Sequence, residues 1–515
     1  MSGSLPDIGE DTVPRPSGAV IAGHERKDRI GIVDIGSNSV RFVVFDALAR
    51  TVHTVHNEKT ICSIGRELGS TGMLYRDGVE LALEALRRYR HLSDKLGVTL
   101  REAVATAAAR DALNGADFVR RAENAWGAPV RVLTGTEEAR LAGEGVIAAI
   151  PDADGLTADL GGGSLDMVVV KGGQTGEAIS LPFGPLRLID LSKGDLDKTR
   201  QLVDYELSKW LPLRALDNKT LYLVGGIWRS VARVDMLREE YPLPILQNYT
   251  IPYSRAVELS TVLAKQGRKS LENLANVSKR RMELLPFGAI VLQRLLVAAK
   301  FKDVVVSANG VREGIVFDKL SPEERGKDPL IDFAGIQNTR FSRSPAHAME
   351  MFAWATPLFA DENAYYRRLR LAASLLTDLG WRRHPEYRTR GSYQEVLNMP
   401  FGGADHKARA FIAACIFHRY AGDDEMPEDL RLTGMLDKQE EKRALKIGLA
   451  ARLAFDLSAS AAGELGHYRL RLTPSKVILE IPQRRGAVAD DAVGKRLGAL
   501  GGAFDRNAEI QVIGS

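Results

Sequence analysis

The chain has 515 residues, a formal net charge of +4, 45% hydrophobic residues and 26% charged residues. This length exceeds what one hydrophobic core usually serves, so we expect two to four domains. The small net charge does not predict a nucleic-acid partner. Two cysteines, Cys62 and Cys415, exclude a disulfide framework and a cysteine-based zinc site, as expected in a reducing cytoplasm. No apolar run approaches the roughly 20 residues of a membrane span.

The N-terminal segment, residues 1–28, contains Pro, Gly, Asp and Ser and little apolar sequence. It lacks the apolar stretch of a signal peptide, and we predict a disordered tail. A buried strand is then predicted at Ile30–Val33 and a second strand at Arg41–Phe45. Between them lies Asp34–Ser39, with the sequence DIGSNS, which is typical of a turn between two hairpin strands.

Several further elements are predicted before residue 150. The spacing of Leu81, Leu86 and Leu92 predicts one buried face of a helix over Val79–Leu96. The other expected elements are a small-residue strand over Ala103–Ala109 that ends at Arg110, a strand over Val130–Leu133, and a helix from Glu137 that Thr134 or Thr136 can cap.

A second strand–turn–strand pattern begins near Leu156, where TADLGGGS occupies Thr157–Ser164 and apolar residues follow over Leu165–Val170. Glycines let a turn backbone approach a ligand, and successive N–H groups form an anion-binding nest. The aspartate before each turn can hold a hydrated cation beside a phosphate. The two turns lie about 125 residues apart, which suggests two similar halves that face each other across a phosphate cleft.

Strands continue to alternate with helices up to about residue 320, which indicates α/β architecture. Leu221–Gly226 reads as an apolar strand that ends in glycines, and Val304–Val306 leads into Ser307–Gly314. Residues 345–457 read as helical, and Tyr468–Ile481 alternates like a hairpin. After the tail, the predicted domains are 29–145, 146–325, a helical domain over 340–457, and a small α+β part over 458–515.

These motifs carry a family resemblance. The segments that carry it are Asp34–Ser39 with Arg41, Ala105–Ala112 (ATAAARDA), Gly135–Arg140 (GTEEAR), Asp159–Ser164 (DLGGGS), Val224–Gly226 and Gly310–Gly314. In this order they resemble the exopolyphosphatase/guanosine pentaphosphate phosphatase family. The resemblance implies two actin-like domains of the ribonuclease H-like ATPase fold, followed by a degenerate HD-like helical domain. It also implies a homodimer.

The resemblance implies a set of site residues as well. Glu138 matches the catalytic position of the family. The residues expected to bind phosphate are Ser37, Asn38, Ser39, Arg41, Arg110, Gly161, Gly162, Gly163, Ser164 and Arg281. Asp159 and Asp166 lie seven residues apart across a hairpin turn, a spacing that can place both carboxylates near one Mg²⁺. Asp166 stands where the family usually has Glu.

Each assignment has a simpler structural alternative. Glu137 and Glu138 both favour a helix N-terminus, and this is the preferred interpretation of Glu137. Asp166 could be a solvated hairpin residue. Arg41 and Arg110 could form surface ion pairs instead of binding phosphate bidentately.

The helical part resembles an HD domain in which Thr377 replaces the metal-binding histidine and His418 remains alone. We therefore expect that the HD metal chemistry has been lost. Seven arginines could line a channel for a polyanion or could simply be solvated helix faces. They are Arg367, Arg368, Arg370, Arg382, Arg383, Arg388 and Arg390.

Together these features predict Mg²⁺-dependent hydrolysis of the terminal phosphate of inorganic polyphosphate. Guanosine pentaphosphate is the nearest alternative substrate, with guanosine tetraphosphate as a further ligand. An ATPase or sugar kinase of the same fold is a second alternative, although Trp228 and Arg229 stand where an adenine would need space. A sensor without catalysis is a third. No P-loop motif and no GxGxxG motif occurs, which argues against Walker NTPases and Rossmann enzymes.

Overall fold

A computed structural model describes residues 28–265 and 279–514, with side chains from residue 282 onward in the second segment. The predicted tail over 1–28 therefore lies almost entirely outside the described residues. Within the described residues, no helix is both long enough and apolar enough to cross a membrane. Cys62 and Cys415 are buried free thiols.

Three sheets organise the described chain. The first sheet contains β1 (Arg29–Ile35), β2 (Ser39–Phe45), β3 (Thr54–Ile61), β4 (Val98–Ala105) and β5 (Arg131–Val132). The second sheet contains β6 (Gly155–Leu160), β7 (Leu165–Lys171), β8 (Gln174–Leu181), β9 (Thr220–Val224), β10 (Tyr249–Pro252) and β11 (Asp303–Val306). The third sheet contains β12 (Arg469–Leu472), β13 (Lys476–Pro482) and β14 (Asn507–Ile513).

Helices cover both large sheets and form most of the C-terminal region. The helices up to residue 318 are α1 (Leu68–Thr71), α2 (Arg76–Lys95), α3 (Ala107–Asp111), α4 (Gly115–Trp126), α5 (Gly135–Ala149), α6 (Pro185–Ser192), α7 (Leu196–Ser208), α8 (Gly226–Arg238), α9 (Tyr253–Leu263), α10 (Lys279–Ala298) and α11 (Val311–Asp318). Those that follow are α12 (Pro322–Arg325), α13 (Pro329–Phe341), α14 (Pro345–Ala355), α15 (Ala364–Leu376), α16 (Pro385–Asn398), α17 (His406–Ala421), α18 (Lys438–Ser458) and α19 (Asp491–Ala503).

The two large sheets repeat one topology. In the first, with strand order β3-β2-β1-β4-β5, the strands β1, β2 and β3 form an antiparallel meander, and β4 and β5 add in parallel. In the second, with order β10-β11-β9-β6-β7-β8, the strands β6, β7 and β8 form the meander, and β9 and β11 add in parallel. Each sheet thus belongs to one of two similar lobes.

Helices α5 and α11 lie between the lobes and bury side chains against both. Leu141 and Ile315 join the core that contains Ile32 of the first sheet. Val146 and Phe317 join the core that contains Val168 of the second sheet. These two helices therefore fix how the sheets, and the turns at the ends of their strands, are placed relative to each other.

Close packing of α5 against α11 depends on glycines. A Cβ atom at Gly314 would lie 1.8 Å from the carbonyl oxygen of Leu141, and one at Gly145 would lie 2.2 Å from the carbonyl oxygen of Gly310. Because no side chain fits in these gaps, the two helix backbones approach each other directly.

The structure corrects two predictions in the first lobe. The strand predicted over Ala103–Ala109 is wrong beyond Ala105, because residues 107–111 form α3. Alanine is the best helix former, and a run of small residues does not distinguish strand from helix. The predicted face of α2 is wrong at Leu81, whose side chain is 47% exposed, whereas Leu86 is buried and Leu92 packs against the same core. The buried stripe instead contains Val79, Leu83, Leu86 and Tyr89, with two alanines.

Other predicted elements agree with the structure. The helix predicted from Glu137 begins at Gly135, and Thr134 caps it. The predicted C-terminal hairpin is confirmed as β12 and β13, which pair antiparallel. Helices α13 to α18 share one large core that extends to this third sheet.

The C-terminal region is tied to both lobes. Toward the first lobe, Arg340 on α13 donates to the Asp46 carboxylate at 2.8 Å, and Gln337 bonds the His53 ring at 2.7 Å. Toward the second lobe, Asn248 donates its side-chain amide to the carbonyl oxygen of Ala404 at 2.8 Å. The three parts of the molecule therefore form one connected body.

The packing of α5 against α11 predicts a strong effect of one added methyl group. We expect Gly314→Ala to destabilise the protein by about 1–3 kcal/mol or more, because the new Cβ would overlap a backbone oxygen that cannot move alone. Gly335→Ala on α13 is the control, because nothing lies within 4 Å of its Cβ position. The control should be neutral or stabilising by up to about 1 kcal/mol. Thermal unfolding of both variants tests this, and an unchanged Tm for Gly314→Ala would contradict it.

Candidate active site

Two turns of the same design face each other between the lobes. The Gly36 N–H donates to the Ser39 carbonyl at 3.1 Å, and the Gly161 N–H donates to the Ser164 carbonyl at 3.0 Å, so one hydrogen bond of the same spacing closes each turn. A Cβ atom at Gly163 would lie 3.7 Å from the Ser37 hydroxyl oxygen. The predicted glycine turns thus meet in space, although 125 residues separate them in sequence.

Asp159 and Asp166 are direct register partners on β6 and β7. Side chains that lie directly opposite each other on paired strands project from the same face of a sheet. Asp166 accepts hydrogen bonds from the Ser164 hydroxyl at 2.8 Å and from the Ser180 hydroxyl at 2.5 Å, and it is 1% exposed. The interpretation of Asp166 as a solvated hairpin residue is therefore wrong.

The pKa values of both aspartates are raised. Burial, reinforced by the charge of Asp166, raises the pKa of Asp159 to about 7. Burial raises the pKa of Asp166 to about 6, although the two serine hydroxyls and Arg110 favour its charged form. The raised values show that negative charge in this part of the cleft is poorly compensated by the protein itself.

Glu138 lies in the first turn of α5 and is aimed into the same cleft. Thr134 and Glu137 form a reciprocal capping box, which commits the Glu137 carboxylate to the helix terminus and leaves Glu138 free of that role. The Oε2 atom of Glu138 is buried without a hydrogen-bond partner and lies 3.6 Å from the Arg110 guanidinium. Burial, together with the charges of Asp166, Asp159 and Asp34, raises its pKa well above the usual range.

Asp34 is a further member of this acidic cluster, and the sequence predicts that it can hold a hydrated cation beside a phosphate. Burial raises its pKa, and Arg312 and Arg41 oppose that shift. The Arg312 guanidinium lies 3.9 Å from the Asp34 carboxylate. Asp34 on β1 and Asp159 on β6 occupy equivalent positions before the two turns, so the repeat of the fold places one carboxylate on each side of the cleft.

Arginines supply the positive charge of the cleft. Burial and the nearby charges of Arg312 and Arg229 lower the pKa of Arg41 to about 10, while Glu313 and Asp34 partly oppose this. A cluster of guanidinium groups such as this one is typical of a site that binds an anion. Arg110 donates to the Leu133 carbonyl at 2.9 Å, which fixes its guanidinium beside Glu138.

The structure brings most of the predicted site residues together. Ser164 also lies in the cleft, but its hydroxyl is committed to Asp166. The carbonyl oxygen of Asn38 accepts from the Cys62 and Ser63 amides, so Asn38 holds the neighbouring loop in place. The side chain of Arg281 lies outside the described residues, so its predicted role stays a prediction.

Two residues of the site had no predicted role in binding or catalysis: Arg229 and Arg312. Arg312 belongs to the Gly310–Gly314 motif, so a signal for it is present in the sequence. No local pattern marks Arg229, because its place depends on how α8 packs.

The acidic residues fit a divalent cation of the magnesium type. Among the described residues, no group of three or more His, Cys, Asp or Glu side chains is spaced as a preformed metal cage. Mg²⁺ does not need one, since it keeps several waters and binds through one or two carboxylates and substrate phosphates. Asp159 and Asp166 offer hard oxygen ligands on one face of the sheet, and their raised pKa values indicate charge that a cation would neutralise.

The arginines of the helical region have structural partners. Arg370 is 1% exposed and holds the Glu362 carboxylate at 2.5 Å, and Arg368 bonds Asp328. The remaining ones also engage neighbours: Arg383 pairs with Glu395, Arg390 pairs with Asp429, Arg388 donates to the Trp381 carbonyl, and Arg367 and Arg382 lie over the rings of Phe352 and Trp381. These contacts do not favour an arginine-lined channel.

The positions that resemble an HD motif are likewise engaged. Asp378, next to Thr377, accepts from the Arg343 guanidinium at 2.7 Å. The His418 ring bonds the Gly422 carbonyl at 2.8 Å. Both side chains therefore serve the packing of the helical region.

Two lobes of this topology, with paired glycine turns between them, define a protein of the actin-like fold. A model of the Ppx/GppA phosphatase family matches residues 43–323, and a model described as the C-terminal domain of exopolyphosphatase matches residues 334–510. The chain belongs to the Ppx/GppA phosphatase family, so the predicted family and fold are confirmed.

Individual relatives agree with this assignment. Retrograde regulation protein 2 of Saccharomyces cerevisiae is 29% identical over 338 residues, and the match covers 58% of this chain and 57% of that protein. The chain thus spans little more than half the length of this curated relative. An exopolyphosphatase from Cytophaga hutchinsonii is 22% identical, with a TM-score of 0.52, over 57% of this chain and 99% of its own. A solved exopolyphosphatase-like protein is also 22% identical, with a TM-score of 0.51, over 57% of this chain and 98% of its own. These structures support the fold of the two lobes.

The raised pKa of Asp159 predicts how stability changes with pH when no metal is present. A carboxyl whose pKa rises from 3.8 to about 7 on folding stabilises the native state at low pH, and this contribution is lost as the pH rises through about 7. We therefore expect Asp159→Asn to raise the metal-free Tm at pH 8 by about 2 °C or more, because a neutral amide replaces a buried charge.

Asp46→Asn is a control of the opposite sign. The bonds of Asp46 to His53 and Arg340 lower its pKa, so its loss should lower the Tm at pH 8. Magnesium should raise the Tm of the unmodified protein at pH 8 and have little effect on Asp159→Asn. Differential scanning calorimetry with and without Mg²⁺ measures these shifts. A lower metal-free Tm for Asp159→Asn would contradict the interpretation.

Proposed function

We propose that this protein is a Mg²⁺-dependent exopolyphosphatase that removes the terminal phosphate of inorganic polyphosphate. The observation that carries the proposal is the Glu138 carboxylate, which is buried and has one oxygen without a hydrogen-bond partner. It lies beside Arg110. Burial raises its pKa, and the charges of Asp159 and Asp34, which precede the two glycine turns, are close enough to raise this pKa further. The reaction makes a bond from a water oxygen to phosphorus and breaks the bond from phosphorus to the bridging oxygen.

In this proposal the terminal phosphate lies between the two glycine turns. The backbone N–H groups of Gly162 and Gly163 and the Ser37 hydroxyl form one side of the cradle. Arg41 and Arg312 approach it from the first lobe and from α11, where their positive charges match phosphate oxygens. Because the protein fixes these donors in advance, little reorganisation is required when charge shifts during the reaction.

Glu138 acts as the general base. Its Oε2 atom accepts no hydrogen bond from the protein and can accept a proton from a water, and the raised pKa of Glu138 makes it a better proton acceptor than an ordinary carboxylate. Arg110 holds the orientation of the carboxylate from 3.6 Å. The neighbouring Asp166 is already bonded by two hydroxyls, so it is poorly suited to the same role.

Asp159 and Asp166 would hold the magnesium ion. When bound, Mg²⁺ supplies positive charge that offsets the negative charge of the phosphate oxygens. This role is consistent with the cluster of carboxylates whose charge the protein leaves poorly compensated.

Guanosine pentaphosphate is an alternative substrate for the same chemistry, because its terminal phosphoanhydride presents the same groups to the cleft.

An actin-fold kinase or ATPase is disfavoured by the segment that resembles an adenosine loop. There Trp228 is fully buried and donates to the Gly288 carbonyl at 3.2 Å. Ile227 packs so closely that a Cβ at Gly288 would lie 2.3 Å from it. Both side chains belong to the packed hydrophobic core of the second lobe rather than to an open binding groove.

The first test compares phosphate release from long-chain polyphosphate, guanosine pentaphosphate and ATP, each with Mg²⁺. We expect the highest kcat/KM with polyphosphate and a loss of about 10²–10⁴ in Glu138→Gln, because the amide cannot accept the proton. Glu137→Gln is the matched control, since glutamine preserves a capping box and should leave the rate within about twofold. Full activity in Glu138→Gln would contradict the assigned base. A higher kcat/KM with guanosine pentaphosphate would contradict the proposed substrate but would leave the assigned active site unchanged.

The proposal also predicts a pH dependence. Glu138 must be deprotonated, so kcat/KM should rise with pH through its raised pKa. Since Arg110 lowers this pKa, Arg110→Met should move the acidic limb of the profile to higher pH, in addition to weakening activity. Arg131→Met is the control, because Arg131 approaches Glu137, at 4.0 Å, on the surface. A profile of unchanged shape in Arg110→Met would contradict the coupling.

A further inference from the structure

The C-terminal helical region meets the second lobe through a buried histidine. His406 begins α17 and is 5% exposed. Its Nε2 atom lies 2.9 Å from the carbonyl oxygen of Gln247, and its Nδ1 atom lies 2.8 Å from the Tyr241 hydroxyl. Because a carbonyl only accepts, Nε2 carries the hydrogen and Nδ1 accepts from the tyrosine. Both ring nitrogens are therefore satisfied when the ring is neutral, and burial lowers the pKa of His406 to about 4.

Gln247 carries this contact onward to a second loop. Its side-chain oxygen accepts a hydrogen bond from the Ala308 N–H at 2.7 Å, and its amide group donates to the Asn248 side chain at 2.9 Å. Asn248 in turn donates to the Ala404 carbonyl at 2.8 Å. Asn248 has a positive φ of 64°, a conformation that asparagine tolerates better than most residues. Two side chains thus link the start of α17 to residues 307–310.

The loop over residues 307–310 borders the candidate active site. Its Ala308 carbonyl accepts from the Arg229 guanidinium at 3.4 Å. Its last residue, Gly310, lies where a Cβ would be 3.9 Å from the Asp159 carboxylate. Helix α11 starts directly after it and carries Arg312, whose guanidinium faces Asp34.

We propose that Gln247 is a positioning residue that couples the C-terminal helical region to the phosphate-binding arginines of the cleft. It touches neither the phosphate site nor the carboxylates. Its side chain instead sets the place of the Ala308 peptide, which holds Arg229 and precedes Arg312. A chain of three hydrogen bonds therefore runs from His406 through Gln247 and Ala308 to Arg229. The catalytic consequence rests on the proposed function, whereas the effect on anion binding does not.

The test uses the full-length protein and two probes, inorganic phosphate and long-chain polyphosphate. Gln247→Ala removes the acceptor for the Ala308 N–H. Asn248→Gly removes the side-chain bonds to Gln247 and Ala404 while favouring the positive φ. Gln293→Ala is the matched control, because Gln293 is also half-buried in the second lobe and bonds the Thr261 hydroxyl at 3.0 Å, with no link to the loop.

We expect Gln247→Ala to weaken phosphate binding about tenfold, measured by calorimetric titration, as a loss near 1.4 kcal/mol would do. The KM for polyphosphate should rise similarly, with kcat within about threefold, because the arginines contact the phosphate before and during the reaction. Asn248→Gly should show a smaller change in the same direction. Gln293→Ala should match the unmodified protein.

Gln247→Glu separates positioning from packing. A carboxylate oxygen still accepts from the Ala308 N–H but no longer donates to Asn248, so this variant should bind phosphate more tightly than Gln247→Ala and less tightly than the unmodified protein. Equal losses in both variants would overturn the proposal, as would unchanged phosphate affinity in both Gln247→Ala and Asn248→Gly. If Gln247→Ala does not fold, Asn248→Gly decides. Failure of the unmodified protein to hydrolyse polyphosphate would refute the proposed function, while the phosphate titrations would still test the positioning role of Gln247.

Discussion

The backbone contact between α5 and α11 is the constraint on which the rest of the structure depends. Helices this close require glycine at both crossing points, Gly145 and Gly314. Since each helix also buries side chains against both sheets, the contact sets the separation of the lobes. The same two helices begin at the cleft, where α5 presents Glu138 and α11 presents Arg312. The same helix contact therefore sets both the separation of the lobes and the positions of Glu138 and Arg312.

The cleft is built from charges that the protein does not neutralise on its own. Four carboxylates lie in the cleft, those of Asp34, Glu138, Asp159 and Asp166. Burial raises the pKa of each of them, and the charges of neighbouring carboxylates raise some of these pKa values further. Arg312 lies beside Asp34, and Arg110 lies beside Glu138. Burial, together with the charges of Arg312 and Arg229, lowers the pKa of Arg41. Such an arrangement costs stability in the absence of ligands. A phosphate and a cation would each relieve one half of it.

Much of this site was predictable because its residues lie in short motifs at strand ends. The turns at Asp34 and Asp159 could be recognised from glycine and aspartate alone, and the resemblance to the family separated Glu138 from Glu137. The capping box gives the physical reason for that separation. The role of Arg229 could not be predicted, because it depends on the packing of α8 rather than on a local pattern. The alanine run after Ala105 was misassigned because small residues lack the periodicity that distinguishes helix from strand.

The bonds from the C-terminal region to both lobes have a mechanical consequence. Arg340 holds Asp46 of the first lobe, and Ala404 and His406 hold the segment around Gln247 in the second. Lobes that are both attached to a third body cannot swing apart about a hinge unless one set of these bonds breaks. A ligand of the cleft therefore meets a binding surface whose width is set before the ligand arrives.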